Sequence, residues 1–380
     1  MKKLLYIDRP FRKSLGGDKN RSRYIYNTLQ KDFHVMTAII LEGNDMEEAS
    51  FVLKGEDKST LFLPESIMEF SEKIMNNFLL FIKENNIKDL FFRSIAFTQL
   101  AIYVKKRVPT INIVVDVDLI LSRLMQQAWG KNKSLRNRYY FIQSLKLLQY
   151  EKNLYQNDFT FLLSNEEECE ILNKQYKNCK TKYLANTTDL VPKTPNTNSK
   201  GIILMYGVMD SISNIDAYTY LKDKLYKQIE DKLEKYGYEI HIVGQGCDAL
   251  IPSNHKHIKI LGKVDSMEDT ILESSFILLP IYIASGTNTR VLETAMAGRA
   301  LITTPLGMEG LINQKEQDYI ATSLDDMVKK VECMIEDYSY RLAMAKLLQK
   351  SIINEFSYEK FEKSLRSIME ISHQELCKTI

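Results

Sequence analysis

The chain has 380 residues, of which 44% are hydrophobic and 26% are charged. This is the composition of a folded globular protein and excludes disordered and fibrous classes, while the length predicts two domains. The net charge is +2, with 29 basic and 23 acidic residues up to position 190. So small a basic excess argues against a nucleic-acid-binding protein.

Strand and helix patterns alternate along the first half of the chain. Strands are predicted at residues 3–8, 34–40, 89–94, 110–118 and 159–164. Helices are predicted at residues 19–31, 64–85 and 98–107, then as two helices ending near residue 154, and after the capping residue Asn165. Apolar strands separated by helices indicate a parallel sheet that is covered on both faces.

The periodic pattern stops between residues 186 and 200, where NTTDLVPKTPNTNSK has two prolines and no apolar repeat. This segment predicts a linker. The alternation then resumes, with strands predicted at residues 201–207, 239–244, 258–262, 276–280 and 300–304 and a helical tail over residues 324–379. We therefore predict a first domain over residues 1–190, a second domain over 191–355, and a helix over 356–380 that packs back toward the first domain.

The predicted fold is α/β, with two Rossmann-like doubly wound domains facing each other across a cleft. Such sheets bind ligands beyond the carboxyl ends of their strands. Cysteines and histidines, five of each, show no C-x-x-C pair and no H-E-x-x-H spacing. They predict a reducing compartment and no metal centre. With no run of about 18 apolar residues and no signal peptide expected, we predict a cytoplasmic protein.

The most informative stretch is YIASGTNTRVLETAMAGRALITTPLGMEGL, residues 282–311. Small residues follow a buried strand and lead into a helix that is predicted to start near Asn288. Backbone amides at such a helix start favour an anion, and a cation in the first turn, Arg290, adds to that preference. Glu293 lies one turn later, where a carboxylate can accept both hydroxyls of a ribose.

This stretch resembles the signature of glycosyltransferase family 4, the group 1 retaining enzymes with the GT-B fold. The matching residues are Gly286, Thr287, Glu293, Ala295, Met296, Ala297, Gly298, Thr304, Gly307, Glu309, Gly310 and Leu311. Further similarity lies in the Gly16-Gly17 loop, residues 115–122 and 151–172, and residues 206–210 followed by Asn214.

The resemblance implies that residues 1–190 form the acceptor-binding domain and residues 191–355 the nucleotide-sugar donor domain, and it implies a role for each matching position. Glu293 would bind the ribose, and Arg290 would stabilise the departing diphosphate. Asp118 would orient the donor sugar or the acceptor hydroxyl. The remaining residues implied to bind the nucleotide sugar are Gly16, Gly17, Gly207, Gly244, Val264, Ser285, Gly286, Thr287 and Asn288. The nucleotide sugar, linked to UDP or GDP, is a substrate, and no cofactor or metal is implied.

The chain also departs from the family pattern. Ser285 stands where many members carry a first glutamate, and Asn288 stands where an arginine is usual. The loop after the first strand of the second domain has no Lys or Arg before Lys222. Arg290 would therefore carry more of the diphosphate charge, with help from the first domain. The candidates for that help are Arg12, Lys13, Lys19 and Arg21.

The leading hypothesis is transfer of a hexose-type sugar, with retention, to a glycan or lipid-linked acceptor in bacterial surface polysaccharide assembly. The leaving phosphate would accept the proton of the acceptor hydroxyl. Two alternatives stay open: a nucleotide-sugar epimerase or hydrolase of related architecture, and a non-catalytic glycosyltransferase-like subunit.

A basic segment also raises the question of a membrane partner. Residues 105–138, from Lys105 to Arg138, contain eight Lys or Arg against two Asp, with Trp129 and other aromatic residues between them. This pattern fits either peripheral binding to an anionic membrane at the inner face of the cell membrane or an ordinary solvated helix.

Overall fold

The computed structural model describes residues 1–11, 17–41, 48–54, 63–130, 135–197, 201–252, 254–311 and 317–379. They form two compact units. Unit 1 comprises Met1–Asn186 and Glu359–Ile380, and unit 2 comprises Thr187–Tyr358. The division falls at the start of the segment that the sequence marks as a linker.

Unit 1 contains a sheet of seven parallel strands in the order β3-β2-β1-β4-β5-β6-β7. The strands are β1 Lys2–Asp8, β2 Phe33–Leu41, β3 Phe51–Lys54, β4 Asp89–Phe92, β5 Asn112–Asp118, β6 Thr160–Leu163 and β7 Lys180–Tyr183. Strands β4 and β6 are buried along their whole length. Their apolar runs show no alternation because helices cover both faces of the sheet.

Helices connect these strands. They are α1 Gly17–Leu29, α2 Glu72–Glu84, α3 Thr98–Arg107, α4 Leu121–Gly130, α5 Leu135–Leu154 and α6 Glu166–Gln175, with a short 3₁₀ turn at Ile95–Phe97. The last helix of the chain, α13 Tyr358–Thr379, also belongs to unit 1. There Arg366 forms a bidentate ion pair with Asp32, with N–O distances of 2.6 and 2.7 Å.

Unit 2 contains five parallel strands in the order β10-β9-β8-β11-β12. The strands are β8 Ile202–Tyr206, β9 Glu239–Val243, β10 Ile258–Gly262, β11 Phe276–Leu279 and β12 Ala300–Thr303. The helices are α7 Ile212–Tyr220, α8 Tyr226–Tyr236, α9 Met267–Glu273, α10 Thr289–Met296, α11 Leu324–Glu336 and α12 Tyr338–Ile353. A π-helical segment, Leu221–Leu225, joins α7 to α8, and 3₁₀ turns lie at Cys247–Ala249 and Leu306–Met308.

The predicted α/β architecture of two parallel sheets with a helical C-terminal region is confirmed. Two strands, β3 and β7, are additions to the sequence prediction, and both lie at edges of the first sheet. Helix α2 begins at Glu72, after its N-cap residue Ser71, whereas the sequence predicted a start near residue 64. Among the described residues no helix combines the length and the apolar character needed to cross a bilayer.

Each sheet has one point where the strand order reverses. In unit 1 it lies between β1 and β4, and in unit 2 between β8 and β11. Connections leave the two central strands in opposite directions there, which opens a crevice at their carboxyl ends. Arg290 and Glu293 lie beside the second of these points, on the helix that follows β11, and Gly207 follows β8 there.

Candidate functional site

Helix α10 begins directly beside the reversal point of the second sheet. Its N-cap is Asn288, whose side-chain oxygen accepts a hydrogen bond from the backbone N–H of Arg290 at 3.3 Å. Asparagine is among the best N-cap residues because its short side chain reaches the unpaired N–H groups of the first turn. The preceding Gly286 has a φ of 70°, a left-handed conformation that favours glycine.

The Arg290 side chain spans the gap between α10 and the end of β8. Its Nη1 donates to the carbonyl oxygen of Tyr206 at 3.0 Å and also to Oδ1 of Asn214, while its Nε donates to Oδ1 of Asn288 at 2.9 Å. Asn214 is fixed in turn, because its Nδ2 donates to the carbonyl oxygen of Val208 at 2.8 Å. The guanidinium is therefore held in one place at the carboxyl end of β8.

Asn288 has a second feature that points to a ligand. Its Nδ2 is buried and has no hydrogen-bond partner among the described residues. Leaving a buried donor unsatisfied costs about 1–3 kcal/mol. An acceptor such as a phosphate oxygen would remove this cost at the helix start, where the dipole also favours an anion.

Glu293 lies one turn beyond Arg290 on the same helix and is partly buried. Burial raises the pKa of its carboxyl to about 7, although a hydrogen bond with Tyr206 and the charge of Arg290 oppose that rise, and Asp189 adds to it. The Tyr206 hydroxyl oxygen also lies 3.0 Å from the carbonyl oxygen of Arg290, which is a second acceptor for its single hydrogen. Glu293 is therefore only partly ionised at neutral pH, and its ionised form accepts hydrogen bonds from hydroxyl groups more strongly than its neutral form.

The glycine loops after β8 and β9 touch through their backbones. A Cβ on Gly244 would lie 1.8 Å from the carbonyl oxygen of Gly207, so no side chain fits there. Gly244 N–H in turn donates to the carbonyl oxygen of Gly262 at 2.8 Å, beside the loop that carries Val264. These residues adjoin at the carboxyl ends of the strands, and their binding of the nucleotide sugar stays a prediction.

In unit 1 the reversal point holds a buried charge network that the sequence did not reveal. Asp116, Arg21 and Arg93 are at most 3% exposed. Arg21 donates to both carboxylate oxygens of Asp116 at 3.0 and 2.9 Å, and Arg93 reaches Asp116 at 3.1 Å. The other N–H groups of Arg21 donate to Leu184, Ala185 and Asn186. The structure thus uses the Arg21 charge inside unit 1.

Asp118 stands at the rim of this network and is 26% exposed. Burial acts to raise its pKa, but Arg21 first and Arg93 second outweigh burial, so the pKa of Asp118 lies below its usual value. Its backbone carbonyl accepts from the Ser164 N–H at 3.0 Å and from the Ser164 hydroxyl at 2.9 Å. Asp118 is therefore an ionised acceptor at neutral pH.

The backbone of Asp118 is left-handed, with a φ of 62°. Aspartate and asparagine tolerate this conformation, whereas it costs other residues about 1–2 kcal/mol. Asp118→Ala and Asp118→Asn both lose the charge that faces Arg21, so their difference reports the cost of the left-handed backbone. We expect Asp118→Ala to lower the free energy of unfolding by about 1 kcal/mol more than Asp118→Asn. Urea unfolding of the two variants measures the difference, and equal stabilities would contradict it.

Two buried glutamates hold the segment that follows Asp118. Glu151 accepts from the Ser122 N–H at 3.1 Å, and Glu168 accepts from the Ile120 N–H at 3.4 Å, at the start of α4. Burial raises the pKa of Glu151 to about 7, with the Ser122 hydrogen bonds opposing it. These carboxylates cap α4 and thereby set the course of the chain after Asp118.

Other predicted positions are located as follows. Gly16, Arg12 and Lys13 lie outside the described residues, and Gly17 is the first residue of α1. Ser285 and Thr287 are partly buried in the loop before α10. Within the described residues, no group of three or more His, Cys, Asp or Glu is placed to hold a metal ion.

Comparison with known proteins gives this geometry a family context. Residues 200–337, which include the whole β8–β12 sheet, match the family model of glycosyl transferases group 1. No curated protein sequence matches the chain significantly.

Solved structures resemble the chain over nearly its whole length. HepE of Anabaena, in complex with UDP and glucose, shares 10% identity over 97% of this chain and 100% of its own, with a TM-score of 0.64. The pneumococcal O-GlcNAc transferase GtfA, in complex with UDP and GlcNAc, shares 12% over 98% and 99%, with a TM-score of 0.63. WaaG, a glycosyltransferase involved in lipopolysaccharide biosynthesis, shares 11% over 95% and 98%, with a TM-score of 0.60. The chain therefore has the GT-B fold of these structures, and residues 200–337 of its second unit are similar to group 1 glycosyl transferases.

Proposed function

We propose that the chain is a retaining glycosyltransferase that moves a sugar from a UDP- or GDP-linked donor to a glycan or lipid-linked acceptor. The observation that carries this proposal is the pair Arg290 and Glu293 on one turn of α10, at the reversal point of a group 1 glycosyltransferase domain. The complexes of HepE and GtfA with UDP favour UDP as the nucleotide.

In this proposal the protein stabilises the charge that develops on the leaving diphosphate. Arg290 is already fixed by Tyr206 and Asn214, so it loses little freedom when the diphosphate binds. The Nδ2 of Asn288 and the start of α10 add donors aimed at the same anion. Glu293 holds the ribose and thereby fixes the distance between the nucleoside and these donors.

The reaction breaks the bond between the anomeric carbon and the β-phosphate oxygen. A bond from the acceptor oxygen to the anomeric carbon forms on the same face, and the proton of the acceptor hydroxyl passes to the leaving phosphate oxygen. Asp118, which is ionised, serves as a hydrogen-bond acceptor that orients a hydroxyl of the donor sugar or the acceptor. Because Arg290 and the N–H donors of α10 stabilise the negative charge of the leaving diphosphate, we expect transfer to persist when EDTA removes divalent cations.

We place this reaction in the cytoplasm, in the assembly of a bacterial surface polysaccharide. The role of WaaG in lipopolysaccharide biosynthesis supports that setting. The position of Ser285, where many family members have a glutamate, keeps a non-catalytic subunit as the second candidate.

Thermal unfolding against UDP, GDP, ADP, CMP and their sugars tests the proposal. A nucleotide at a hundred times its dissociation constant should stabilise the protein by about 2.7 kcal/mol. The shift should appear with one nucleotide and vanish in Glu293→Ala, and the matching sugar donor should then be consumed in a transfer assay. If none of the nucleotides raises the unfolding temperature, the result would contradict the donor site and favour the non-catalytic candidate.

A further inference from the structure

Helices α4 and α5 of unit 1 expose an unusual number of large apolar side chains. On α5, Phe141, Ile142 and Leu145 are 38%, 53% and 51% exposed, and their spacing puts them on one face. Trp129 of α4 is 47% exposed, and its ring lies 4.8 Å from the ring of Phe141. These four side chains form one patch across the two helices, which we call the α4–α5 surface.

This clustering differs from the usual scatter of exposed apolar residues. Of the fourteen large hydrophobic side chains that are most exposed among the described residues, five lie on α4 and α5, the fifth being Tyr139. Isolated exposed apolar residues need no explanation, but a contiguous patch marks an interaction site. The α4–α5 surface therefore requires a partner that accepts apolar side chains.

Charge selects the chemistry of that partner. Between Leu119 and Tyr150 the sequence has six Lys or Arg and no Asp or Glu. Arg138 is exposed and lies one turn before Phe141 on α5. A second copy would bring this positively charged segment close to its own equivalent, which is unfavourable. An anionic lipid surface offers negative charge beside an apolar interior and fits both features.

The surface lies at the end of the basic segment that the sequence singled out. Earlier in that segment, Lys105 pairs with Asp158 at 3.1 Å, and the guanidinium of Arg107 lies 3.5 Å from the centroid of the Tyr103 ring. Arg123 pairs with the buried Glu168 at 3.2 Å. Several basic residues of the segment are thus engaged within unit 1, whereas Phe141, Ile142 and Leu145 of α5 are exposed.

We propose that the α4–α5 surface docks on an anionic lipid bilayer, with Phe141, Ile142 and Leu145 inserted at the level of the headgroups and Arg138 against the lipid phosphates. Insertion would lay α5 along the plane of the interface, with its exposed apolar side chains among the headgroups. The proposal does not depend on the donor site in unit 2.

Co-sedimentation with vesicles tests the proposal. The full chain should bind vesicles of phosphatidylglycerol and phosphatidylcholine and bind phosphatidylcholine alone at least about tenfold more weakly, with a dependence on salt. Phe141→Ser combined with Ile142→Ser should reduce binding to the anionic vesicles by at least about tenfold, because two large apolar side chains lose their insertion. Arg138→Glu, at an exposed position of α5, should also weaken it.

Leu80→Ser is the matched control, since Leu80 on α2 of the same unit is 53% exposed, like Ile142. It should bind as the unchanged protein does. Equal binding of the double variant, or equal binding to both vesicle types, would overturn the proposal. A dimer in ultracentrifugation that the double variant dissociates, without vesicle binding, would assign the surface to a second copy instead. The rise in unfolding temperature on adding nucleotide should be the same in all variants. A loss of vesicle binding can therefore be distinguished from a failure of the donor site.

Discussion

Glu293→Gln should weaken binding of both UDP and uridine at pH 8 by roughly 100-fold. An ionised carboxylate accepts both ribose hydroxyls in charge-assisted hydrogen bonds, each worth about 1.5–3 kcal/mol. Glutamine keeps one neutral acceptor oxygen and presents an N–H donor in place of the other. Because the ribose is common to nucleoside and nucleotide, both ligands should lose affinity to the same extent.

The pH dependence of UDP binding by the unchanged protein follows from the pKa of Glu293, which burial raises to about 7. Below pH 7 the carboxyl of the unliganded protein takes up a proton, so affinity for UDP should fall about tenfold per pH unit. Glutamine does not titrate, and the affinity of Glu293→Gln should change little over the same range. Titration calorimetry from pH 5.5 to 8 measures both curves.

The same substitution should stabilise the protein without ligand. The folded-state pKa of about 7 exceeds the usual value of 4.5, so ionisation of Glu293 costs stability as pH rises through this window. The cost is absent below the unfolded-state value and complete above pH 7. We therefore expect Glu293→Gln to raise the free energy of unfolding by about 2 kcal/mol at pH 8 and to leave it unchanged at pH 4. Urea denaturation at the two pH values measures this difference.

Glu332→Gln on α11 is a suitable control, because it removes a glutamate of unit 2 outside the reversal point. It should leave nucleotide affinity and its pH dependence unchanged. Unaltered uridine binding in Glu293→Gln would disprove the ribose assignment.

Asn288→Asp should weaken UDP binding by a factor of roughly 100 or more and leave uridine binding nearly unchanged. Aspartate caps a helix as well as asparagine does, so α10 should keep its start. The substitution replaces the buried Nδ2 donor by an acceptor and adds a negative charge where the diphosphate is proposed to lie. The loss of one charge-assisted hydrogen bond and the new repulsion both act on the phosphates alone.

Asn288→Ser provides the graded comparison, since serine also caps a helix but brings neither the amide donor nor a charge. It should weaken UDP binding by about tenfold. Calorimetry with UDP and uridine on all three proteins gives the result, with GDP and guanosine used if unfolding selects GDP. A parallel loss of uridine and UDP affinity would show that position 288 acts on the fold of the site rather than on the diphosphate.

Local features of the site were predictable from the sequence. The start of α10 follows from an asparagine after small residues, and the strand before it follows from the run FILL, which is buried throughout. The capping role of Asn165 is likewise confirmed, since its side chain accepts from the Glu167 N–H at 3.0 Å. Each of these depends on residues that are adjacent in the chain.

Partners brought together by tertiary structure were not predictable. Asn214, which holds Arg290, is 76 residues away from it, and Asp116 is 95 residues from Arg21. The missed edge strand β7 has the sequence KTKY, and its side chains are exposed or only partly buried. Polar edge strands lack the apolar run that reveals a central strand.

The discontinuity of unit 1 has a consequence for its synthesis. Helix α13 buries Phe361, Leu365 and Met369, and the ring of Phe361 packs edge-on against Tyr24 of α1 at 6.4 Å. A ribosome that has finished Asn186 must still translate the whole of unit 2 before these side chains exist. At typical bacterial-to-eukaryotic rates of about 5–20 residues per second, that delay is roughly 10–35 s. During that time the nascent first unit lacks its last helix, so the apolar surface beside Tyr24 would be a place for a chaperone to bind.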